Sequence, residues 1–178
     1  MWVKGTPKLD LNAMEILVIR HAEAEEVHDA AVAGRVDAQR ALTKEGIKRM
    51  RKRTEGLHML VEELGLILSS PLVRAVQTAD ILAEVYPKAE RAEHARLAPG
   101  FNPGKLLEWC VKQPGPLALV GHEPDLSGWV GYVTTGGSRS LVNMKKGSVC
   151  CLDVPETAHP GEGRILWLLT LKQLARLA

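Results

Sequence analysis

The chain has 178 residues, 46% of them hydrophobic and 25% charged, with a formal net charge of +2. This length and balance suit one α/β domain with a full-sized core. The net charge is too small to point to a nucleic-acid partner, and no run of about eighteen apolar residues is present to form a membrane span. No stretch resembles a signal-peptide core, so the expected compartment is the cytoplasm. The three cysteines, Cys110, Cys150 and Cys151, lack zinc or CxxC spacing and read as reduced structural thiols.

Residues 1–13 carry no clear element and read as an N-terminal arm or extension, leaving residues 14–178 as a single domain. Glu15 to Arg20 (EILVIR) is a short apolar run, the pattern of a buried strand. The polar stretch from His21 to Ala41 reads as a loop suited to a functional site. Thr43 is a good N-cap for a helix whose core stripe is Ile47, Met50, Thr54, Leu57, Val61 and Leu64, with Gly65 as its end. The basic run Lys48, Arg49, Arg51, Lys52, Arg53 lies on this helix and reads as a solvated face.

Leu66 to Ser69 is a second strand. Ser70 as cap and Pro71 at the first helical position predict a helix to Tyr86, stopped by Pro87. A weak strand at Glu90 to His94, a loop, and a helix over Lys105 to Lys112 follow. Leu117 to Val120 is another buried strand, and Pro124 to Val133 is helical. Val149 to Val154 and Ile165 to Leu171 are the last strands, separated by a Pro/Gly-rich turn and suited to antiparallel pairing. A short C-terminal helix ends the chain. Alternating strands and helices predict one three-layer α/β/α sandwich with a mostly parallel central sheet.

Three buried strands each run into a polar motif: Arg20-His21, Ser69-Ser70-Pro71 with Arg74, and Gly121-His122-Glu123-Pro124. Sites in open α/β sheets form outside the C-terminal ends of the strands, so two arginines and two histidines can meet at one rim. Arginine forks match phosphate oxygens. They also depress the pKa of a nearby imidazole, keeping it neutral and nucleophilic. The set suits a phosphoryl site. Other readings are weaker. There is no G-x-S-x-G elbow around Ser69, Ser70 or Ser127 and no P-loop. The cluster His21, Glu23, Glu25, Glu26, His28 and Asp29 lacks HExxH spacing and lies beside two arginines, so neither a metal nor another cofactor is expected. His28 reads as an exposed loop residue and His58 as a structural one.

RHAEA (residues 20–24), LTKEG (42–46), SSPLVRAVQTA (69–79), GHEPDLS (121–127) and KKGSVCCL (145–152) occur in that order. The chain resembles the histidine phosphatase, or phosphoglycerate-mutase-like, superfamily, and within it the SixA-type phosphohistidine phosphatases. Ala22 departs from the usual RHG form. The resemblance implies that His21 is a transiently phosphorylated nucleophile, that Arg20 and Arg74 bind the phosphoryl group, and that His122 completes the pocket. Larger members usually carry a glutamate general acid where this chain has Ala98. An ester leaving group needs that proton, whereas a phosphorylated imidazole does not, so a phosphohistidine-bearing protein is the expected substrate. Glu23, Glu26, Asp29 and Glu123 are candidate proton donors. A small-molecule phosphomonoesterase and a non-catalytic phospho-recognition protein are the alternatives, and no membrane partner is expected.

Overall fold

A computed structural model of the chain describes residues 13–177. The central sheet has six strands: β1 (Ala13–Arg20), β2 (Leu66–Ser69), β3 (Glu90–Glu93), β4 (Leu117–Gly121), β5 (Val149–Pro155) and β6 (Arg164–Leu169). Their spatial order is β3-β2-β4-β1-β5-β6. The β1–β4, β2–β4 and β2–β3 pairs are parallel, while β5 runs antiparallel to β1 and to β6. The sheet is therefore mostly parallel, with the expected antiparallel pair at one end.

The helices are α1 (Val27–Val32), α2 (Lys44–His58), α3 (Val73–Val85), α4 (Pro103–Cys110), α5 (Asp125–Thr135) and α6 (Leu171–Leu174). Alternate residues of each strand enter two separate cores. Leu17, Ile19, Ile67, Ala118, Val120 and Cys151 pack with Met50, Leu57, Ala75, Leu82 and Leu174 from α2, α3 and α6. Ile16, Val18, Leu68, Leu119 and Cys150 pack on the other face with Leu106, Trp129 and Val130 from α4 and α5. These are the three layers of the sandwich, and the neighbouring cysteines fall on opposite faces. At the β3 edge the sequence Glu90-Arg91-Ala92-Glu93 carries charge, which discourages pairing with another strand.

Several local expectations are corrected. Ala13, assigned to the arm, opens β1; the rest of the proposed arm lies outside the described residues. The stretch from His21 to Ala41 is not all loop. It holds α1 and a 3-10 turn at Asp37–Gln39, and α1 escapes notice because it buries only Ala30. Helix α2 ends at His58, not Gly65. Leu60 and Val61 N–H both return to Leu57 O, so a turn carries Val61 and Leu64 into the core on the stripe that a longer helix would have used. Helix α3 begins at Val73, with Leu72 as N-cap residue; Ser70 lies before the helix, where its Oγ accepts from Leu72 N–H and also pairs with His122. Helix α4 begins two residues earlier than expected, at Pro103, with Asn102 Oδ1 accepting from Lys105 N–H. No described helix is long and apolar enough to cross a membrane.

Candidate active site

Strand register places the polar motifs together. Arg20 is the register partner of Gly121, and Ser69 of Val120. The three strands thus end at one level, and their next residues emerge side by side: His21 N–H donates to Gly121 O at 3.1 Å and Ser70 N–H to Val120 O at 2.9 Å. The His21 and His122 rings lie 5.2 Å apart between centroids, tilted by 52°. Arg74, in the first turn of α3, is 5% exposed, while His21 and His122 are 6% and 4% exposed.

Each side chain is held by a specific partner. His21 Nδ1 is 2.7 Å from Ala22 O. A carbonyl only accepts, so Nδ1 carries the proton and Nε2 keeps its lone pair. Ala22 is itself anchored by its N–H to Thr78 Oγ1 at 3.0 Å, and Thr78 donates to Arg74 O at 2.7 Å, linking the backbone after His21 to α3. His122 Nε2 pairs with Ser70 Oγ at 2.8 Å. Ser70 Oγ also accepts from Leu72 N–H; where its own proton goes to Nε2, Nδ1–H of His122 is left as a donor. Arg20 Nη1 donates to Met144 O at 2.8 Å.

Arg74 Nη1 donates to Asp37 O at 2.8 Å and Nη2 to Asp37 Oδ2 at 3.1 Å. Asp37 Oδ1 accepts from Arg40 Nε at 2.8 Å, and Arg40 Nη1 is held by Glu25 O. Asp37 therefore grips the terminal edge of the Arg74 fork and leaves its Nε edge free. Three buried polar atoms in this cluster have no hydrogen-bond partner among the described residues: Arg20 Nε, Arg74 Nε and His122 Nδ1. Two nitrogens of permanent cations and one imidazole nitrogen, all desolvated, are suited to an oxyanion.

The electrostatics agree. Burial pulls the His21 pKa down to about 3; the Ala22 hydrogen bond opposes this, and the charges of His122, Arg74 and Arg20 add to it. Burial and then the Arg74 charge lower His122 to about 4. Both rings are neutral at pH 7. For Asp37, burial raises the pKa, but the hydrogen bond from Arg40 and the charge of Arg74 outweigh it, and the carboxyl stays below its ordinary value.

The four residues predicted for the pocket, Arg20, His21, Arg74 and His122, thus come together. Of the four candidate proton donors, three are engaged by other side chains or backbone and one is exposed. Glu23 pairs with Arg49 at 2.9 Å, Glu26 pairs with Lys146 at 3.5 Å, and Asp29 is exposed on α1. Glu123 is spent on Ser127, taking its N–H at 3.0 Å and its hydroxyl at 2.7 Å at the start of α5. Of the cluster considered for metal, Glu25 pairs with Arg35 and His28 is exposed. Sequence reasoning missed Asp37, Arg40 and the partnership of Ser70 with His122. The spacing Asp37-x-x-Arg40 before Leu42-Thr43 was the available signal for the first two. The Ser70–His122 pair is not the start of a serine triad: Ser70 is fully buried, and among the described residues His122 Nδ1 has no carboxylate to orient it.

Residues 16–98 match the family model of the histidine phosphatase superfamily, branch 1. An uncharacterized protein of Picosynechococcus sp. is 35% identical over 148 residues, which cover 76% of this chain and 82% of the relative. Among solved structures, the protein histidine phosphatase SixA complexed with tungstate superposes with a TM-score of 0.78 at 22% identity, covering 90% of this chain and 99% of that one. The mycobacterial glucosyl-3-phosphoglycerate phosphatase superposes with a TM-score of 0.63 at 17% identity, covering 86% and 97%. The chain belongs to the histidine phosphatase superfamily.

Proposed function

We propose that the protein is a metal-independent phosphohistidine phosphatase working through a phospho-His21 intermediate. The observation that carries this reading is the trio of buried, unpartnered atoms, Arg20 Nε, Arg74 Nε and His122 Nδ1, beside a neutral His21 whose Nε2 is unprotonated. Nε2 attacks phosphorus and the bond from phosphorus to the leaving nitrogen breaks. The departing imidazole takes that electron pair and leaves neutral if its other nitrogen is protonated. The two guanidinium groups and His122 Nδ1–H stabilise the equatorial oxygens, where negative charge must be held. Water then attacks phospho-His21, Nε2 recovers its electron pair, and orthophosphate departs with the water's oxygen.

The leaving group is the basis for preferring phosphohistidine. Asp37, the carboxylate paired to Arg74, is held ionised between Arg40 and Arg74 and has no proton to give. Ala98, where larger members carry an acid, caps the 3-10 turn Ala95–Leu97 and cannot titrate. An alkoxide would leave unassisted from such a site, whereas an imidazole protonated by solvent needs no help. The test compares turnover of a phosphohistidine-bearing protein with that of a panel of phosphomonoesters. Faster hydrolysis of the phosphohistidine protein is expected. Preference for one ester by an order of magnitude or more would replace this reading with a small-molecule phosphomonoesterase. Binding without turnover would replace it with a phospho-recognition protein.

A further inference from the structure

A second cationic cavity adjoins the nucleophile loop. It has a volume of about 300 Å³ and is lined by Arg49, Arg53, Lys145, Lys146 and Lys172, with Glu23 as its one carboxylate. Glu23 is consumed by Arg49, which also pairs with Glu45. Lys146 reaches Glu26 only at 3.5 Å. Arg53, Lys145 and Lys172 have no ion-pair partner among the described residues. Arg53 Nε and Nη1 are moreover sealed from solvent with no hydrogen-bond partner there. Arg53 lines the cavity with no carboxylate paired to it among the described residues, a setting suited to an entering anion.

The cavity is tied to the active site through the backbone. Gly147, directly after Lys146, donates its N–H to both Arg20 O and His21 O at 3.0 Å. Glu23 stands two residues beyond His21, and its carbonyl packs against Gly46, which also lines the cavity. A substrate whose phosphoryl group meets His21 therefore finds a second positive site on the α2–α6 side of the same strand end.

We infer that the Arg53–Lys145–Lys172 cavity is a substrate subsite that takes a carboxylate from an acidic peptide segment flanking the phosphorylated histidine of a protein substrate. The inference rests on the phosphohistidine reading for the identity of the substrate. The subsite selects among phosphoproteins by their flanking charge and leaves the chemical step unchanged.

Two fluorescein-labelled, unphosphorylated peptides test it, one with glutamates around a central histidine and one with glutamines in their place. Fluorescence anisotropy would be read with the wild type, Arg53→Gln and Lys172→Gln. The glutamate peptide should bind the wild type about three- to tenfold more tightly than the glutamine peptide, the range for partly exposed charge-assisted contacts. That preference should shrink toward unity in both variants, while their turnover of phosphoramidate, a small single anion, stays within about twofold of wild type. Equal binding of the two peptides, or a preference retained in both variants, overturns the subsite. Abolition of the preference by millimolar orthophosphate at constant ionic strength overturns the acidic-segment assignment in favour of a free-phosphate site. Lys172 is exposed on a short helix, so its variant decides the matter if Arg53→Gln folds poorly. Should the wild type fail to hydrolyse phosphoramidate and phosphohistidine alike, the catalytic reading falls while the binding comparison still decides the subsite.

Discussion

His122 Nε2 and Ser70 Oγ stand 2.8 Å apart, joining the residues that follow two neighbouring strands, β4 and β2. The serine is the side-chain partner of His122 Nε2, and when it donates there Nδ1 carries the proton. Ser70→Ala should lower kcat by about tenfold or more, because Nδ1 loses its defined donor role. KM should change much less. The buried Nε2 left without a partner should reduce stability by about 1–3 kcal/mol. Steady-state kinetics and urea unfolding check the two effects, and Ser70→Thr should recover part of the kcat loss where Ala does not.

Replacing His21, the proposed nucleophile, tests the chemistry directly. His21→Ala should abolish turnover and acid-labile incorporation of labelled phosphate while leaving the circular dichroism spectrum unchanged. EDTA should not reduce wild-type activity. Retained turnover in the variant, or loss with EDTA that a divalent ion restores, would contradict the mechanism.

Asp37 acts through Arg74. Its side chain is 55% exposed, so Asp37→Asn should alter stability by no more than about 1 kcal/mol. The amide retains one acceptor but loses the charge that holds the Arg74 and Arg40 forks together. A guanidinium freed to swing should reduce kcat/KM by about tenfold, since small misplacements are costly in a preorganised site. Asp37→Glu should restore the charge but not the reach. Kinetics at low and high salt separate the variants, with the larger salt response expected of the wild type.

Acid should destabilise the fold through the two neutral histidines. In the unfolded chain both titrate near 6.5, whereas in the folded protein they resist protonation down to about 3 for His21 and about 4 for His122. Between those limits the unfolded state binds more protons, so stability falls as pH falls below about 6.5. The slope should approach about 1.4 kcal/mol per pH unit for each histidine. Denaturant titrations at pH 7.5, 6 and 5 check this, and His21→Ala should show about half the slope.

Gly46 defines the close approach of α2 to the nucleophile loop. A Cβ there would run into Glu23 O, the carbonyl that accepts from Thr43 N–H at 3.0 Å. Gly46→Ala should therefore push residues 22–24 away from α2 and reduce activity, at a stability cost of about 1–3 kcal/mol. Hydrogen exchange at residues 22–24 should rise with the substitution.

The fold was largely legible because the buried strands are short and uniformly apolar, and their ends coincide with the polar motifs. Arg20, His21, Arg74 and His122 could be chosen because each ends, follows or lies close after such a strand. Asp37 could not be recognised from periodicity: it lies in a 3-10 turn within a polar stretch, and its value depends on Arg74, 37 residues away. Ser70 misled for a related reason. A serine before proline has the chemistry of a helix cap, and only the β2–β4 register reveals that its hydroxyl, besides accepting from Leu72 N–H, pairs with His122. Glu123 looked available because it follows His122, but its carboxylate turns to Ser127 four residues on.

The bond from His21 Nδ1 to Ala22 O also determines the form in which the enzyme can be caught. An imidazole can carry phosphorus on either nitrogen, giving two regioisomers with distinct NMR spectra and distinct antibody reactivity. With Nδ1 committed to a carbonyl, this protein should yield the Nε2 isomer alone. That ring, still protonated at Nδ1, is a cation attached to phosphorus, so the trapped species should be short-lived at neutral pH and best captured by rapid alkaline quenching. Its isomeric purity is a signature that nonspecific phosphorylation of the exposed His28 would not reproduce.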